Sequence, residues 1–290
     1  MEENKELEIE KQKVYENDLN YCEEYPHPDG TQCYVFFSSN GLYPEASKEE
    51  FQKTMIEKSR YEWKSMAKAF KYHKNLGKII YVRDIYKVFY IYGISKRLDS
   101  IDKVIEELRH LTNGYEVTTV GISSGGYLSV ICAAALQAKR AFCISGQFNI
   151  EWHLQPENLA YCMVSEERKK YIDILNLVRQ NRNVPVYYLC PVGCEHDYEN
   201  YQAVKEEENV KCFLFPDKKH AATVYPFNFP DLLFLSNERL NKLCLHYEGK
   251  LINKNEFYIR TVSLRGILTL ISYIWKSKFR LESLIKRWDV

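Results

Sequence analysis

The stretch "VTTVGISSGGYLSV", residues 117–130, decides the fold of this 290-residue chain. β-Branched residues, which are typical of a buried strand, give way to "YLSVICAAAL", which is typical of a helix. The change runs through residues 121–125, which read G-I-S-S-G and place a hydroxyl group at the bend. This G-x-S-x-G motif predicts a sharp strand-to-helix turn that exposes Ser123 as a nucleophile. The alternative is an ordinary glycine-rich turn that cradles a phosphate.

Strand-like and helix-like runs alternate on both sides of this turn. Short apolar strands separated by longer helices predict an α/β fold with a mostly parallel central sheet and helices on both faces. In such sheets the functional groups collect at the carboxyl ends of the strands. The predicted strands are 33–39, 78–82, 116–121, 140–146, 184–193 and 210–216, and the predicted helices are 47–73, 97–111, 165–181, 198–208 and one that starts at Gly126.

Polar residues follow the last two predicted strands. The segment "CEHDYENY" comes after the first of them and contains Glu195, His196 and Asp197, whereas "DKKHAATVYPFN" comes after the second and contains His220. A nucleophilic serine needs a base, and the base needs a carboxylate that orients it. His220 is therefore the candidate base, Asp197 and Glu195 are the two candidate acids, and we expect no role for His196.

The order of serine, acid and histidine resembles the α/β-hydrolase arrangement. The resemblance covers the chain from Tyr34 to about Asn228. It implies that Ser123 is the nucleophile of a catalytic triad completed by Asp197 and His220. It also implies the α/β-hydrolase fold, followed here by a C-terminal helical extension.

Two backbone amides are expected to stabilise the oxyanion of such a site. The amide of Ser124 follows the nucleophile and opens the helix, where the helix dipole favours negative charge. The second amide is expected from the segment "FFSSNGLYP", residues 36–44, at Ser39 or Asn40. The alternative for this segment is a plain turn.

Two further residues lie near predicted strand ends and are predicted to bind substrate. Arg83 stands in "YVRDIYK", residues 81–87, next to Asp84, and the alternative is an ion pair that pins a loop. Tyr127 follows the glycine-rich turn, and the alternative for this residue is simple packing.

The composition excludes several classes of function. Forty basic and 39 acidic residues give no overall bias toward nucleic acid. The nine cysteines, several of them within apolar runs, indicate free thiols of a reducing compartment. Cys190 and Cys194 lack a second pair at zinc-finger spacing, so we expect no metal site and no cofactor. The charged N-terminus resembles no signal peptide, and we expect a soluble, cytoplasmic protein.

The last part of the chain departs from the hydrolase pattern. Residues 260–290 hold seven Lys or Arg against Glu282 and Asp289, mixed with large apolar residues. Such a basic amphipathic helix fits peripheral contact with an anionic inner-membrane surface. We predict instead that this helix packs on the hydrolase domain, with its cations on the solvent side. The hydrolase domain is predicted to span residues 1–259. A lid over the site is expected within residues 147–164, where the aromatic residues show no clear period.

A narrower resemblance concerns four segments. "FFSSNGLYP", "SRYEW", "IIYVRDIYK" and "VGISSGGY" are similar to segments of hydrolase-like proteins of bacterial surface-polysaccharide biosynthesis. This resemblance implies a carbohydrate acyl ester as substrate. The predicted function is therefore a serine esterase, with two alternatives: an O-acetyltransferase that uses the same triad, and a non-catalytic scaffold at a membrane or glycan-synthesis complex. The oligomeric state stays open.

Overall fold

A computed structural model gives the fold of the chain. It divides the chain into two compact units, Met1–Ala222 and Thr223–Val290. The predicted boundary between 259 and 260 stays a prediction, because nearly all of the C-terminal extension lies outside the described residues. The structure describes residues 2–43, 47–70, 72–154, 166–221, 223, 229–263, 267–268 and 271.

The first unit is built on one seven-stranded sheet with the order β1-β3-β2-β4-β5-β6-β7. All neighbouring strands are parallel except β1, which pairs with β3 in the antiparallel sense. The predicted mostly parallel sheet is therefore confirmed, and β1 is an addition to it. The strands are β1 (Tyr21–Glu24), β2 (Gln32–Phe37), β3 (Leu76–Val82), β4 (Glu116–Ile122), β5 (Arg140–Ile144), β6 (Val186–Pro191) and β7 (Val210–Phe215).

Helices of very different length connect these strands. The helices of the first unit are α1 (Glu2–Asn17), α2 (Lys48–Phe51), α3 (Ala67–Phe70), α4 (Ile101–Leu111), α5 (Ser124–Leu136), α6 (Glu166–Lys169), α7 (Leu175–Gln180) and α8 (Glu195–Val204). Three 3-10 turns (Asn40–Leu42, Lys64–Met66, Trp152–Leu154) and a π-helical turn (Gln52–Glu57) accompany them. The second unit contains α9 (Phe229–Leu233), α10 (Asn237–Tyr247) and α11 (Lys254–Thr261), and within it the Ser263 hydroxyl donates to Asp231 at 2.8 Å.

Both faces of the sheet are covered. On one face, α4 and α5 join the main apolar cluster through residues such as Leu108 and Ile131. On the other face, the ring of Phe36 stacks on Phe70 with centroids 5.4 Å apart and contacts Trp63 at 5.7 Å. Strand residues alternate between the two faces, and burial on both sides explains why the strands read as continuous apolar runs.

The register of the sheet brings four loops to one edge. Phe37 at the end of β2 lies beside Gly121, Ile122 at the end of β4 lies beside Ile144, and Pro191 in β6 lies beside Phe215 in β7. The loops after β2, β4, β6 and β7 therefore open at the same carboxyl edge, where ligands bind in open parallel sheets.

The predicted helix over 47–73 is broken in the structure. A π-helical turn and an irregular stretch separate α2 from α3. In that stretch the Trp63 indole N–H donates to the Phe37 carbonyl at 2.8 Å, across 26 residues of chain. This long-range bond ties the segment to the end of β2 and outweighs its helical periodicity.

The lid prediction for 147–164 is wrong for the beginning of that segment. Residues 155–164 lie outside the described residues. Phe148 and Ile150 are completely buried in the main apolar cluster, so the beginning of the segment belongs to the core.

Within the described residues, no helix is both long enough and apolar enough to cross a membrane.

Candidate active site

The site is built on the turn between β4 and α5. Ser123 forms this turn with φ of 54° and ψ of −124°, a conformation that non-glycine residues rarely adopt. Strain of this kind costs about 1–3 kcal/mol and persists only where neighbouring structure enforces it. The Ser123 amide donates to the Ile144 carbonyl at 2.9 Å, and its carbonyl accepts from the Tyr127 amide at 3.1 Å. These bonds hold the backbone of Ser123 between β5 and α5.

The two glycines of the motif are required by close backbone approaches. A Cβ atom on Gly121 would lie 2.0 Å from the Gly125 carbonyl oxygen, and a Cβ on Gly125 would lie 2.3 Å from the Phe37 carbonyl oxygen. Real Cβ atoms do not approach an oxygen so closely. The spacing G-x-S-x-G is therefore a packing requirement of this turn, which supports the sharp-turn interpretation.

Ser123, His220 and Asp197 form one chain of hydrogen bonds within the first unit. His220 Nε2 lies 3.0 Å from Ser123 Oγ, and His220 Nδ1 lies 2.8 Å from Asp197 Oδ2. The Asp197 side chain is 1% exposed and that of His220 is 38% exposed. A buried carboxylate thus faces a histidine that reaches solvent, and a histidine so placed can accept the serine proton.

Both candidate acids, Glu195 and Asp197, lie in the first turn of α8. Asp197 lies in this turn, where the Cys190 thiol contacts its carbonyl at 3.3 Å and ties it to the end of β6. Glu195 lies in the same turn but is exposed, and the structure brings Asp197 to His220 instead. His196 Nε2 lies 3.1 Å from His153 Nε2, away from the triad bonds.

One predicted oxyanion donor is wrong. The Ser39 amide donates to Glu62 Oε2 at 2.6 Å, and the Ser39 hydroxyl bonds Glu62 Oε1 at 3.0 Å. An amide with a carboxylate partner has no free hydrogen for an oxyanion. Sequence reasoning missed Glu62, because it reaches Ser39 across 23 residues and no local pattern indicates that contact.

The other two predicted donors remain available. Ser124 is the first residue of α5, so its amide has no acceptor within the helix. In the described part of the chain, the Asn40 amide also has no acceptor. The Ser124 hydroxyl donates to Asn40 Oδ1 at 2.9 Å, which fixes the loop after β2 against the residue behind the nucleophile.

The predicted substrate-binding role of Arg83 is corrected to a structural one. Its guanidinium is 0% exposed, donates to Asp18 Oδ2 at 2.9 Å and Asn20 Oδ1 at 3.0 Å, and lies 4.6 Å from the Tyr61 ring centroid. It also donates to the Arg60 carbonyl at 3.1 Å. A buried group with these partners cannot contact a ligand. The ion pair that it forms is with Asp18 and not with its neighbour in sequence.

Asp84 organises the loop after β3. Its carboxylate accepts from the amides of Tyr86, Val88 and Tyr90 at 2.8–3.0 Å. Burial raises the pKa of Asp84 to about 6, although these amides oppose the rise. The Tyr90 hydroxyl then donates to the Ser38 carbonyl at 2.6 Å, so this loop supports the end of β2.

Tyr127 packs and does not face a ligand, so its predicted substrate-binding role is also corrected. The side chain is fully buried, and its hydroxyl donates to the Tyr171 carbonyl at 2.5 Å. Its ring meets Phe89 edge-on with centroids 5.8 Å apart. The packing alternative from the sequence describes it correctly.

A cavity of about 750 Å³ lies beside α8. Asn149, Trp152 and Glu199 are among the residues that line it. Trp152 is 64% exposed, which is unusual for so large an aromatic side chain. Next to it, burial, followed by the nearby His196 and His220, lowers the pKa of His153 to about 4. Cys194 also lines this cavity, and the ligand atoms of Cys194, Asp197 and His220 lie within 4.8 Å of one another, so the cavity lies beside Asp197 and His220.

The sheet order, the strained serine after β4, the acid after β6 and the histidine after β7 occur together on one edge. The fold is that of the α/β-hydrolases. No family model matches this chain, and no curated protein matches it.

Solved structures match this α/β-hydrolase fold at low identity. A mutant of the capsule O-acetyltransferase of Neisseria meningitidis serogroup A, in complex with CoA, is 12% identical over 70% of this chain and 91% of that chain, with a TM-score of 0.49. Est1E from Butyrivibrio proteoclasticus with bound ferulic acid is 13% identical over 78% and 94%, with a TM-score of 0.46. FphF, a fluorophosphonate-binding serine hydrolase of Staphylococcus aureus, is 10% identical over 64% and 75%, with a TM-score of 0.43. At this identity the likeness concerns the fold alone.

Proposed function

We propose that this protein is a serine hydrolase that cleaves an acyl ester through an acyl-enzyme. One observation carries the proposal: the hydrogen bonds that join Ser123, His220 and Asp197 at the carboxyl edge of the sheet. A strained, positive-φ serine at the same place supports it, because backbone strain of this kind is concentrated at active sites and a sharp strand-to-helix turn exposes the serine hydroxyl.

Each of the three groups has its own role in the proposed reaction. His220 Nε2 takes the proton from Ser123 Oγ as the oxygen attacks the ester carbonyl, and then gives that proton to the leaving alcohol. Asp197 holds His220 in the tautomer with the proton on Nδ1 and stabilises the imidazolium that forms. Water then attacks the acyl-enzyme by the same route and releases the acid.

We propose that two backbone amides stabilise the oxyanion. The Ser124 amide at the start of α5 is one donor, and the Asn40 amide is the second. Each such donor contributes about 3 kcal/mol to transition-state stabilisation in enzymes where this has been measured. The bond between the Ser124 hydroxyl and Asn40 keeps the two amides on adjacent loops.

We propose a carbohydrate ester as the substrate. An exposed tryptophan beside an amide and a carboxylate is a lining that suits a sugar, since the ring covers its C–H face and the polar groups bind its hydroxyls. Trp152, Asn149 and Glu199 provide this combination next to the triad. The alternative within the same proposal is acyl transfer, in which a sugar hydroxyl bound in this cavity attacks the acyl-enzyme in place of water.

Hydrolysis of an aryl acetate and of acetylated sugars tests the proposal. We expect Ser123→Ala to reduce turnover to the rate of buffer alone. The matched control is Ser100→Ala, which removes the N-cap of α4 at a cost of about 1 kcal/mol in stability and leaves the chemistry intact. Added sugar acceptors separate the two outcomes, because acyl transfer gives an acylated sugar and hydrolysis gives free acid. A folded wild-type protein without turnover on any ester would overturn the proposal and favour the scaffold alternative.

A further inference from the structure

A third side chain lies against the acid and the base of the triad. Ligand atoms of Cys194, Asp197 and His220 all lie within 4.8 Å of one another. The cysteine and the histidine are partly exposed, whereas Asp197 is buried. Among the described residues, Asp197 Oδ1 is also buried without a hydrogen-bond partner. A buried carboxylate oxygen left unsatisfied carries an energetic cost, and a ligand at this position removes that cost.

The three groups match the preferences of a thiophilic divalent cation. Thiolate sulfur, imidazole nitrogen and carboxylate oxygen are the usual protein ligands of Zn²⁺, whereas Mg²⁺ and Ca²⁺ prefer oxygen alone. A thiolate and a carboxylate together neutralise the charge of the ion. We propose that Zn²⁺ or Cd²⁺ binds Cys194, Asp197 and His220 and thereby switches the triad off.

The site requires only small movements. His220 Nδ1 and Asp197 Oδ2 are 2.8 Å apart and must separate to roughly 3.3 Å around a tetrahedral zinc ion. Cys194 precedes α8 in an extended conformation and is partly exposed, and its thiol already lies within 4.8 Å of the other two ligand atoms. The thiol also borders the cavity beside α8, which gives the ion a path from solvent.

The ion inactivates the base by changing its tautomer. When the ion occupies Nδ1, the proton on that nitrogen moves to Nε2, and the Cys194 thiol proton leaves to solvent. Nε2 then donates to Ser123 Oγ and can no longer accept the serine proton. This step rests on the proposed function, whereas binding of the ion does not. A triad held in the wrong tautomer loses about 10⁴-fold in turnover in the measured case.

Three other cysteines differ from Cys194 in their burial or in the charge that lies beside them. Cys132 and Cys143 are completely buried, whereas Cys194 is partly exposed. Cys22 is partly exposed like Cys194, but the Lys64 ammonium lies 3.8 Å from its sulfur and repels a cation. Cys22→Ser is therefore the matched control for Cys194→Ser.

Titration with Cd²⁺ tests binding directly, because a cadmium–thiolate bond gives an ultraviolet charge-transfer band. We expect one band-forming ion per wild-type chain, and the same for Cys22→Ser and Ser123→Ala. Cys194→Ser must abolish the band, and Asp197→Asn must weaken cadmium binding by at least about 10-fold. Circular dichroism shows whether each variant is folded. A band that persists in Cys194→Ser, or one that never forms, overturns the proposal.

Labelling by a fluorophosphonate tests the switch. Saturating Zn²⁺ must slow wild-type labelling by about 10³-fold or more, with full recovery after a chelator is added. Each variant is compared with its own metal-free rate, and Cys194→Ser must lose the zinc effect while Cys22→Ser keeps it. Equal inhibition of both variants contradicts the site. A cadmium band in a protein that never labels would instead contradict the proposed function and leave the metal site standing.

Discussion

Strands β3 and β4 both end in polar side chains at the same edge, yet the structure uses the two ends differently. Arg83 and Asp84 after β3 are fully buried and bonded to loop backbone and to other side chains. Among the described residues, Ser123 after β4 is held through its backbone and through His220, which itself reaches solvent. Polar residues at a strand end thus mark either a loop support or a reactive group. The two cases differ in whether the polar atoms can still form hydrogen bonds with solvent.

The largest expected effect is on the acid of the β4 site. Asp197→Asn removes the acceptor that fixes the His220 tautomer, and we expect turnover of an aryl ester to fall by about 10⁴-fold. Glu195→Gln is the matched control, since this side chain lies in the same helical turn and is exposed. Equal losses in both variants would contradict the assignment of Asp197. Steady-state kinetics of the two folded variants measures these losses in turnover.

Substitution of Gly125 should destroy the turn itself. An alanine Cβ at this position would meet the Phe37 carbonyl oxygen, so we expect a loss of about 3 kcal/mol or more in the free energy of unfolding. Gly114→Ala is the control, because its φ is +84° but no atom lies within 4 Å of the added Cβ. That variant should lose only about 1 kcal/mol. Urea unfolding of both variants measures the difference, and equal losses would contradict the requirement for glycine that the close approach to Phe37 imposes at position 125.

Arg83→Met tests the β3 side of the comparison. The change leaves Asn20 and buried carbonyl oxygens without a donor, and we expect it to cost about 2–3 kcal/mol in stability. Because the guanidinium holds a loop and touches no substrate, kcat/KM of the folded variant should stay within a few-fold of wild type. A rise in KM for a sugar ester without loss of stability would restore the substrate-binding role predicted from sequence.

The smallest expected effect concerns pH and His153. Its pKa in the folded protein, about 4, lies below the usual value of 6.5, so the unfolded chain binds the proton more readily between those values. Wild-type stability should therefore fall as the pH drops from 6.5 to 4. His153→Phe keeps an aromatic ring against Phe89 and removes the titrating group. The variant should therefore gain stability relative to wild type as the pH drops from 6.5 to 4. Thermal melts at pH 7.5 and pH 5 measure the change, and an equal offset at both pH values would contradict it.

The sequence predicts the parts of the site that depend on local geometry. A strand that turns into a helix through G-x-S-x-G constrains the backbone of Ser123 within five residues, and the parallel sheet brings Asp197 and His220 to the same edge. Both consequences follow from periodicity and spacing alone.

The parts that sequence reasoning missed depend on contacts between distant residues. The break in the predicted helix over 47–73 reflects the bond from Trp63 to Phe37, and the exclusion of Ser39 reflects Glu62. The sequence does not identify the partners of Arg83, because Asp18 and Asn20 lie more than 60 residues away. Local patterns carry no information on such pairings.

The measurement that tests the central claim most directly is the mapping of a fluorophosphonate adduct by mass spectrometry. The account predicts one adduct per chain, located on Ser123, absent in Ser123→Ala and formed far more slowly in His220→Ala. His196→Ala serves as the histidine control and should label at a rate close to that of wild type. An adduct on another residue, or a folded wild-type protein that stays unlabelled without added metal, would contradict the claim that Ser123 is an activated nucleophile.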